Sequence, residues 1–160
     1  MGCGKSTVGE NLALRLGYEF LDTDQMIEEK EGRSISSVFA TEGEEFFRKL
    51  ETKTIKELND ICDKKVISVG GGLPLREENR NILNELGLVI YLKAEPDTIF
   101  KRIKDDKNRP LLQTENPKET IINMLHGREE KYRQAAYRII TVDGKTIEDV
   151  VKEIENIIKE

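Results

Sequence analysis

The sequence predicts an α/β fold built on a parallel sheet, and three observations lead there. Short apolar runs alternate with longer amphipathic ones, most connections are brief, and glycines mark the ends of both kinds of run. At 160 residues the chain is sized for one domain, residues 1–160, with one cleft. The balance of 26 basic against 31 acidic residues, with no basic tract, argues against a nucleic-acid partner. Any anion must then be met by a few locally placed arginines. Cys3 and Cys62 have neither metal-ligand nor C-x-x-C spacing, and no signal peptide or long apolar run occurs. The expectation is a cytoplasmic protein with no membrane partner.

Taken in order, Val8, Leu12 and Leu16 recur at four-residue spacing and Gly17 stops the run, which predicts a helix over 5–16. Residues 18–21 read as a strand that delivers Asp22 and Asp24 to its C-terminal end, where open α/β sheets place ligands. Asp24 is expected to N-cap the next helix, which Gly32 ends. Residues 34–40 and 44–60 read as two further helices separated by Thr41-Glu42-Gly43, an inserted helical lobe at about 32–60. Residues 65–69 form an apolar strand ending in Gly70-Gly71-Gly72, where backbone can approach a ligand closely. A helix over 75–86, a strand over 88–92 and a helix over 97–104 opened by Pro96 follow. Residues 105–116 are polar around Arg109-Pro110-Leu111-Leu112 and read as a mobile lid. Pro117 starts a helix to residue 136, residues 137–142 are the last strand, and 145–159 a closing amphipathic helix.

The chemistry is concentrated at the start. Gly2-Cys3-Gly4-Lys5-Ser6-Thr7 matches the closing half of the pattern G-x-x-x-x-G-K-[ST], in which backbone N–H groups cradle phosphates. Lys5 would reach the β/γ oxygens and Ser6 would offer its hydroxyl to Mg²⁺. The pattern's first glycine and the strand feeding it would lie before Met1. The expectation is that the physiological protein starts upstream. Asp22 and Asp24, paired at a strand end beside a phosphate loop, suit a metal partner and a base for a hydroxyl proton. Arg48 has Glu51 at i+3 to orient its guanidinium and aromatics beside it. Arg102, Arg109 and Arg128 read by themselves as surface charges, and His126 has no partners that would make it catalytic.

Laid end to end, Gly-Lys-Ser-Thr, Asp22-x-Asp24, Phe47-Arg48-x-x-Glu51, Gly70-Gly71-Gly72, Arg109-Pro110-Leu111-Leu112 and Arg128 four residues before Tyr132 resemble the shikimate kinase family across nearly the whole chain. The resemblance implies a P-loop three-layer fold with a five-stranded parallel sheet, four strands of which are visible here, and a monomer that binds ATP, Mg²⁺ and shikimate. It implies transfer of the γ-phosphoryl group to the shikimate 3-hydroxyl, on the route to chorismate and the aromatic amino acids. It further implies that Asp22 helps hold Mg²⁺, that Asp24 engages the acceptor hydroxyls and is the base, and that Arg48 and Arg128 clamp the carboxylate with Glu51 orienting Arg48. By the same carry-over Gly70, Gly71 and Gly72 donate backbone N–H groups, Phe39 and Phe47 line the pocket, Arg109 closes onto the phosphoryl group and Arg102 stacks on adenine. A gluconate-type small-metabolite kinase is the alternative in the same class. A non-catalytic shikimate-binding protein is the alternative outside it.

Overall fold

The computed structural model describes residues 2–104 and 114–160. Helix α1 (Lys5–Leu16) buries Val8, Leu12 and Ala13, and Gly17 closes it by giving its N–H to the Ala13 and Leu14 carbonyls. Strand β1 (Glu19–Asp22) runs directly into α2 (Thr23–Glu31). Here the expected cap is corrected. Asp22, not Asp24, is the N-cap, accepting from the Asp24 N–H at 2.9 Å and the Gln25 N–H at 3.3 Å. The reason is backbone conformation: Asp22 is extended at φ -120 and ψ 122, as a cap must be, whereas Asp24 already lies in the first helical turn.

The two helices expected in the lobe form one helical stretch, α3 (Ile35–Leu58), broken by non-helical backbone at Gly43. Its φ of 81 and ψ of 175 lie where side chains with a Cβ are strained, so the glycine kinks the run where the sequence places a turn. Strand β2 (Lys65–Ser68) leads to the three glycines. A 3₁₀ turn at Leu73–Leu75 then precedes α4 (Glu77–Leu86), which starts later than its periodicity suggests because Pro74 sits in that turn. Strand β3 (Ile90–Lys93), α5 (Pro96–Ile103), α6 (Pro117–Ala135), β4 (Arg138–Thr141) and α7 (Ile147–Lys159) complete the described chain. Thr146 and Asp149 make a reciprocal capping box at the start of α7.

All strand pairing is parallel, as expected, but the strands form two pairs rather than one ladder: β1 with β2 and β3 with β4. Ladder bonds need strands about 4.8 Å apart, and a groove of about 520 Å³, walled by Val66, Ile67, Ile90 and Leu92 with Leu12 and Ile154, lies between the pairs. The helices join the two halves. Val8 and Leu12 of α1 pack with Ile99, Ile121, Ile140 and the Val150, Val151, Ile154 face of α7 in one buried cluster. A second cluster, Ile55, Leu58, Leu73 and Leu83, packs under β2, and a third, Ile27, Val38 and Phe47, is the interior of the lobe. Among the described residues no helix is long and apolar enough to cross a membrane.

Candidate active site

The N-terminus of α1 opens into a cleft of about 470 Å³ lined by Gly2, Gly4, Lys5, Ser6 and Thr7, with Arg102 of α5 and Val142, Lys145 and Thr146 from the far side. The free N–H groups and positive end of a helix favour an anion there. The Arg102 guanidinium donates to the Gly2 carbonyl at 3.2 Å, which fixes it over the loop. Ser6 Oγ donates to Asp22 Oδ2 at 3.3 Å while Oδ1 of the same carboxylate caps α2, so a hydroxyl and a carboxylate oxygen are held side by side. This oxygen pair fits Mg²⁺, which takes few protein ligands and completes its octahedron with phosphate oxygens and water. Among the described residues no group of three His, Cys, Asp or Glu gathers for a metal.

Lys5 also lines a smaller cavity of about 90 Å³ shared with Val69, Gly70, Gly71 and Tyr132, so the phosphate loop and the glycine segment border the same space. The acidic and basic groups expected at an acceptor site converge on that segment. The Arg48 guanidinium donates to Glu51 Oε2 at 2.7 Å through Nη1, and to Glu44 Oε1 at 2.9 Å through Nη2. Glu51 is 0 % exposed. Its other oxygen, Oε1, and Asp24 Oδ1 are buried without a hydrogen-bond partner among the described residues. Both point at Gly70, where an added Cβ would stand 2.6 Å from Asp24 Oδ1 and 3.1 Å from Glu51 Oε1. Two orphaned carboxylate oxygens beside the same glycine call for donors, and hydroxyl groups of a ligand are donors of the right kind.

Electrostatics follow from this crowding. Burial pushes the Asp24 carboxyl above its ordinary range, and neighbouring Asp22 adds to the effect, while Lys5 and Arg48 oppose it. Burial likewise raises Glu51, against the pull of its hydrogen bond from Arg48. Arg48 stays a cation because Glu51 and Glu44 outweigh its own desolvation. The result is a half-buried cation with a fixed fork beside two carboxylates of reduced acidity, a setting typical of functional sites.

Gly72 explains how closely the parts fit. A Cβ there would stand 1.9 Å from Arg48 Nη1, so only a residue without a side chain lets the guanidinium lie against the backbone. Because the φ of -88 suits any residue, Gly72→Ala is expected to fold. It will displace the Arg48 fork and weaken binding of a carboxylate ligand about tenfold or more, measured by titration calorimetry beside a thermal melt. Unchanged affinity in the folded variant would place the glycine's importance elsewhere.

Of the remaining candidates, Arg128 of α6 faces Gly71, its Nη1 lying 3.8 Å from where a Cβ on that glycine would stand. Phe47 is buried in the lobe interior, its ring 4.8 Å from that of Phe39 and 5.6 Å from the Arg48 guanidinium carbon, so Phe47 backs the arginine and Phe39 packs on Phe47. Arg109 and most of the expected lid lie outside the described residues. The roles of three residues, Thr23, Tyr132 and Glu44, escaped sequence reasoning. Thr23, buried between the two aspartates, accepts the Gly70 N–H at 3.0 Å, and the Tyr132 hydroxyl donates to the Gly71 carbonyl at 2.6 Å. Glu44, four residues before Arg48, was findable from its i,i+4 spacing alone.

A phosphate loop on a helix N-terminus, a carboxylate pair at the adjoining strand end and an inserted lobe offering a fixed arginine define a P-loop phosphotransferase architecture for a small acidic acceptor. A family model described as shikimate kinase matches residues 1–159. The chain belongs to the shikimate kinase family. It is 44% identical over 160 residues to a shikimate kinase of Geobacter sulfurreducens, covering 100% of this chain and 87% of that one. Among solved structures, a shikimate kinase from Acinetobacter baumannii in complex with shikimate superposes with a TM-score of 0.93 at 40% identity, over 99% of this chain and 88% of the other. A shikimate kinase from Bacteroides thetaiotaomicron gives 0.91 at 32% identity, over 100% of this chain and 94% of the other.

Proposed function

We propose that this protein transfers the γ-phosphoryl group of ATP to the 3-hydroxyl of shikimate, as a monomeric, cytoplasmic enzyme of one domain, residues 1–160, with its lobe at about 32–60 and its lid at about 105–116. The observation that carries the reading is the Arg48 fork, held by fully buried Glu51 against Gly72, on the same glycine segment that Asp24 and Arg128 approach. That arrangement suits a ligand with one carboxylate and several hydroxyls.

In this reading the α1 N-terminus and Lys5 hold the ATP phosphates, and Arg102 covers the nucleotide side of the cleft. Mg²⁺, held by Ser6 and Asp22, would neutralise phosphate charge as it develops. Arg48 and Arg128 bind the acceptor's carboxylate and so fix its ring. Asp24 accepts the proton of the 3-hydroxyl as that oxygen bonds to phosphorus and the bond to ADP breaks. Its raised proton affinity suits a base, and the positive charge of Lys5 nearby partly opposes that rise. Arg109 is assigned to the transferring phosphoryl group on its motif position alone. Because positioning and charge neutralisation supply most of the catalysis, an acidic protein can carry it out with a few convergent cations.

A coupled ADP-release assay over a panel of hydroxylated acids tests the proposal. Shikimate is expected to be turned over with a kcat/KM at least a hundredfold above that of gluconate, since a flexible acyclic acid must be ordered before its hydroxyl meets Asp24. Turnover of gluconate without turnover of shikimate would overturn it.

A further inference from the structure

The glycine segment is tied down on two sides by residues that no ligand role explains. Gly70 gives its N–H to the Thr23 hydroxyl at 3.0 Å and its carbonyl accepts from the Leu73 N–H at 3.1 Å, so its one backbone donor is already committed within the protein. The Gly71 carbonyl accepts from the Tyr132 hydroxyl at 2.6 Å, across 61 residues of sequence. In a trans peptide the carbonyl and the following N–H point in opposite directions, and the described residues contain no cis peptide. Holding the Gly71 carbonyl on the Tyr132 hydroxyl therefore turns the Gly72 N–H away from that hydroxyl, in the same segment that the Arg48 guanidinium approaches at Gly72.

Tyr132 is placed to do this with little freedom. Its ring packs on Tyr91 with centroids 5.2 Å apart and an interplanar angle of 52°. Burial raises its phenol, so the hydroxyl stays a neutral donor at physiological pH. Arg128 stands one helical turn earlier on the same face of α6, and both side chains approach Gly71, with Tyr132 Oη 3.4 Å and Arg128 Nη1 3.8 Å from an added Cβ there. One hydroxyl thus holds the peptide that carries a backbone donor and stands beside an arginine at the same glycine.

We propose that Tyr132 is a positioning residue of the acceptor site, its hydroxyl bond to the Gly71 carbonyl aiming the Gly72 N–H and seating Arg128 for the acceptor. The proposal rests on the function proposed above. It assigns Tyr132 an effect chiefly on acceptor binding, because the cleft lined by Gly2–Val8, Arg102 and Lys145 does not include Tyr132, which meets the phosphate loop only at the small cavity bordered by Cys3 and Lys5.

Tyr132→Phe in the full chain tests it, since the variant keeps the ring pair and deletes one oxygen. Shikimate affinity by titration calorimetry is expected to weaken about tenfold, the upper range for one neutral hydrogen bond. KM for shikimate should rise in step, with KM for ATP and the melting temperature nearly unchanged. Unaltered shikimate affinity would overturn the proposal. A parallel loss of both KM values and of thermal stability, or failure to fold, would also overturn it by making the hydroxyl a general structural tie. If the unaltered chain binds no shikimate, the function proposed above fails instead, and Tyr132→Phe is then measured on whichever acid the chain does turn over.

Discussion

Asp24→Asn will lower kcat by about 10²–10⁴-fold, the usual contribution of a general base, while raising thermal stability at neutral pH. The substitution keeps size and one acceptor oxygen but cannot take a proton, so KM for both substrates should move only a few-fold. The stability effect has the opposite sign because Asp24 is buried beside Asp22, and its carboxyl is raised above the ordinary 3.8. A raised folded-state pKa favours folding while the group is protonated, below its unfolded value. That contribution is lost as pH rises through the folded value, and the ionised group is then a burden on the free protein. Asparagine carries no such burden, so its advantage should appear at pH 8 and vanish near pH 3. Steady-state kinetics and melts at both pH values check this. A kcat within tenfold of the original would remove Asp24 as the base, and a lower melting temperature at pH 8 would make it a structural carboxylate.

Arg48→Ala will damage binding and folding together, for separable reasons. Binding loses the guanidinium that the proposed function assigns to the acceptor's carboxylate, and a desolvated charge partner of this kind is worth roughly 2–5 kcal/mol, so KM for shikimate should rise about 10²-fold or more. Folding loses the only cation hydrogen-bonded to Glu51 among the described residues, whose side chain is 0% exposed against 13% for Arg48. A buried carboxylate left alone costs roughly 3–5 kcal/mol. The double variant R48M/E51L separates the two. It replaces the pair by apolar groups of similar length, so the melting temperature should recover most of its loss while shikimate binding remains absent. If both properties recover, the acceptor carboxylate is bound elsewhere. Arg48→Lys should fall between, keeping the charge but losing the two-pronged geometry.

The elements were legible because each has a local signature. The period of Val8, Leu12 and Leu16, the glycine stops and the Pro96 start all survive in the structure, and Gly43 breaks α3 where a turn was expected. The arginine with its glutamate partner was legible too, since i,i+3 spacing is a property of any helix. Contacts set by tertiary packing were not. Asp22 and Asp24 look alike in sequence, and only the extended backbone at Asp22 decides which of them caps. The Thr23 bond to Gly70 spans 47 residues and the Tyr132 bond to Gly71 spans 61, and no periodicity links positions so far apart. The division of the strands into two pairs also lay beyond pattern reading, because apolar runs show that strands exist but not which edges meet.

Strand β1 ends at Asp22 and helix α2 begins at Thr23, with no residue between them. Across that seam three successive side chains serve three neighbours: Asp22 meets Ser6 of the phosphate loop, Thr23 holds the glycine segment, and Asp24 points toward Gly70 beside Glu51. One inserted or deleted residue would turn every following helical position by about 100°, exchanging these three partners at once. The junction has no slack, so a change of one residue in its length is expected to cost all three contacts together.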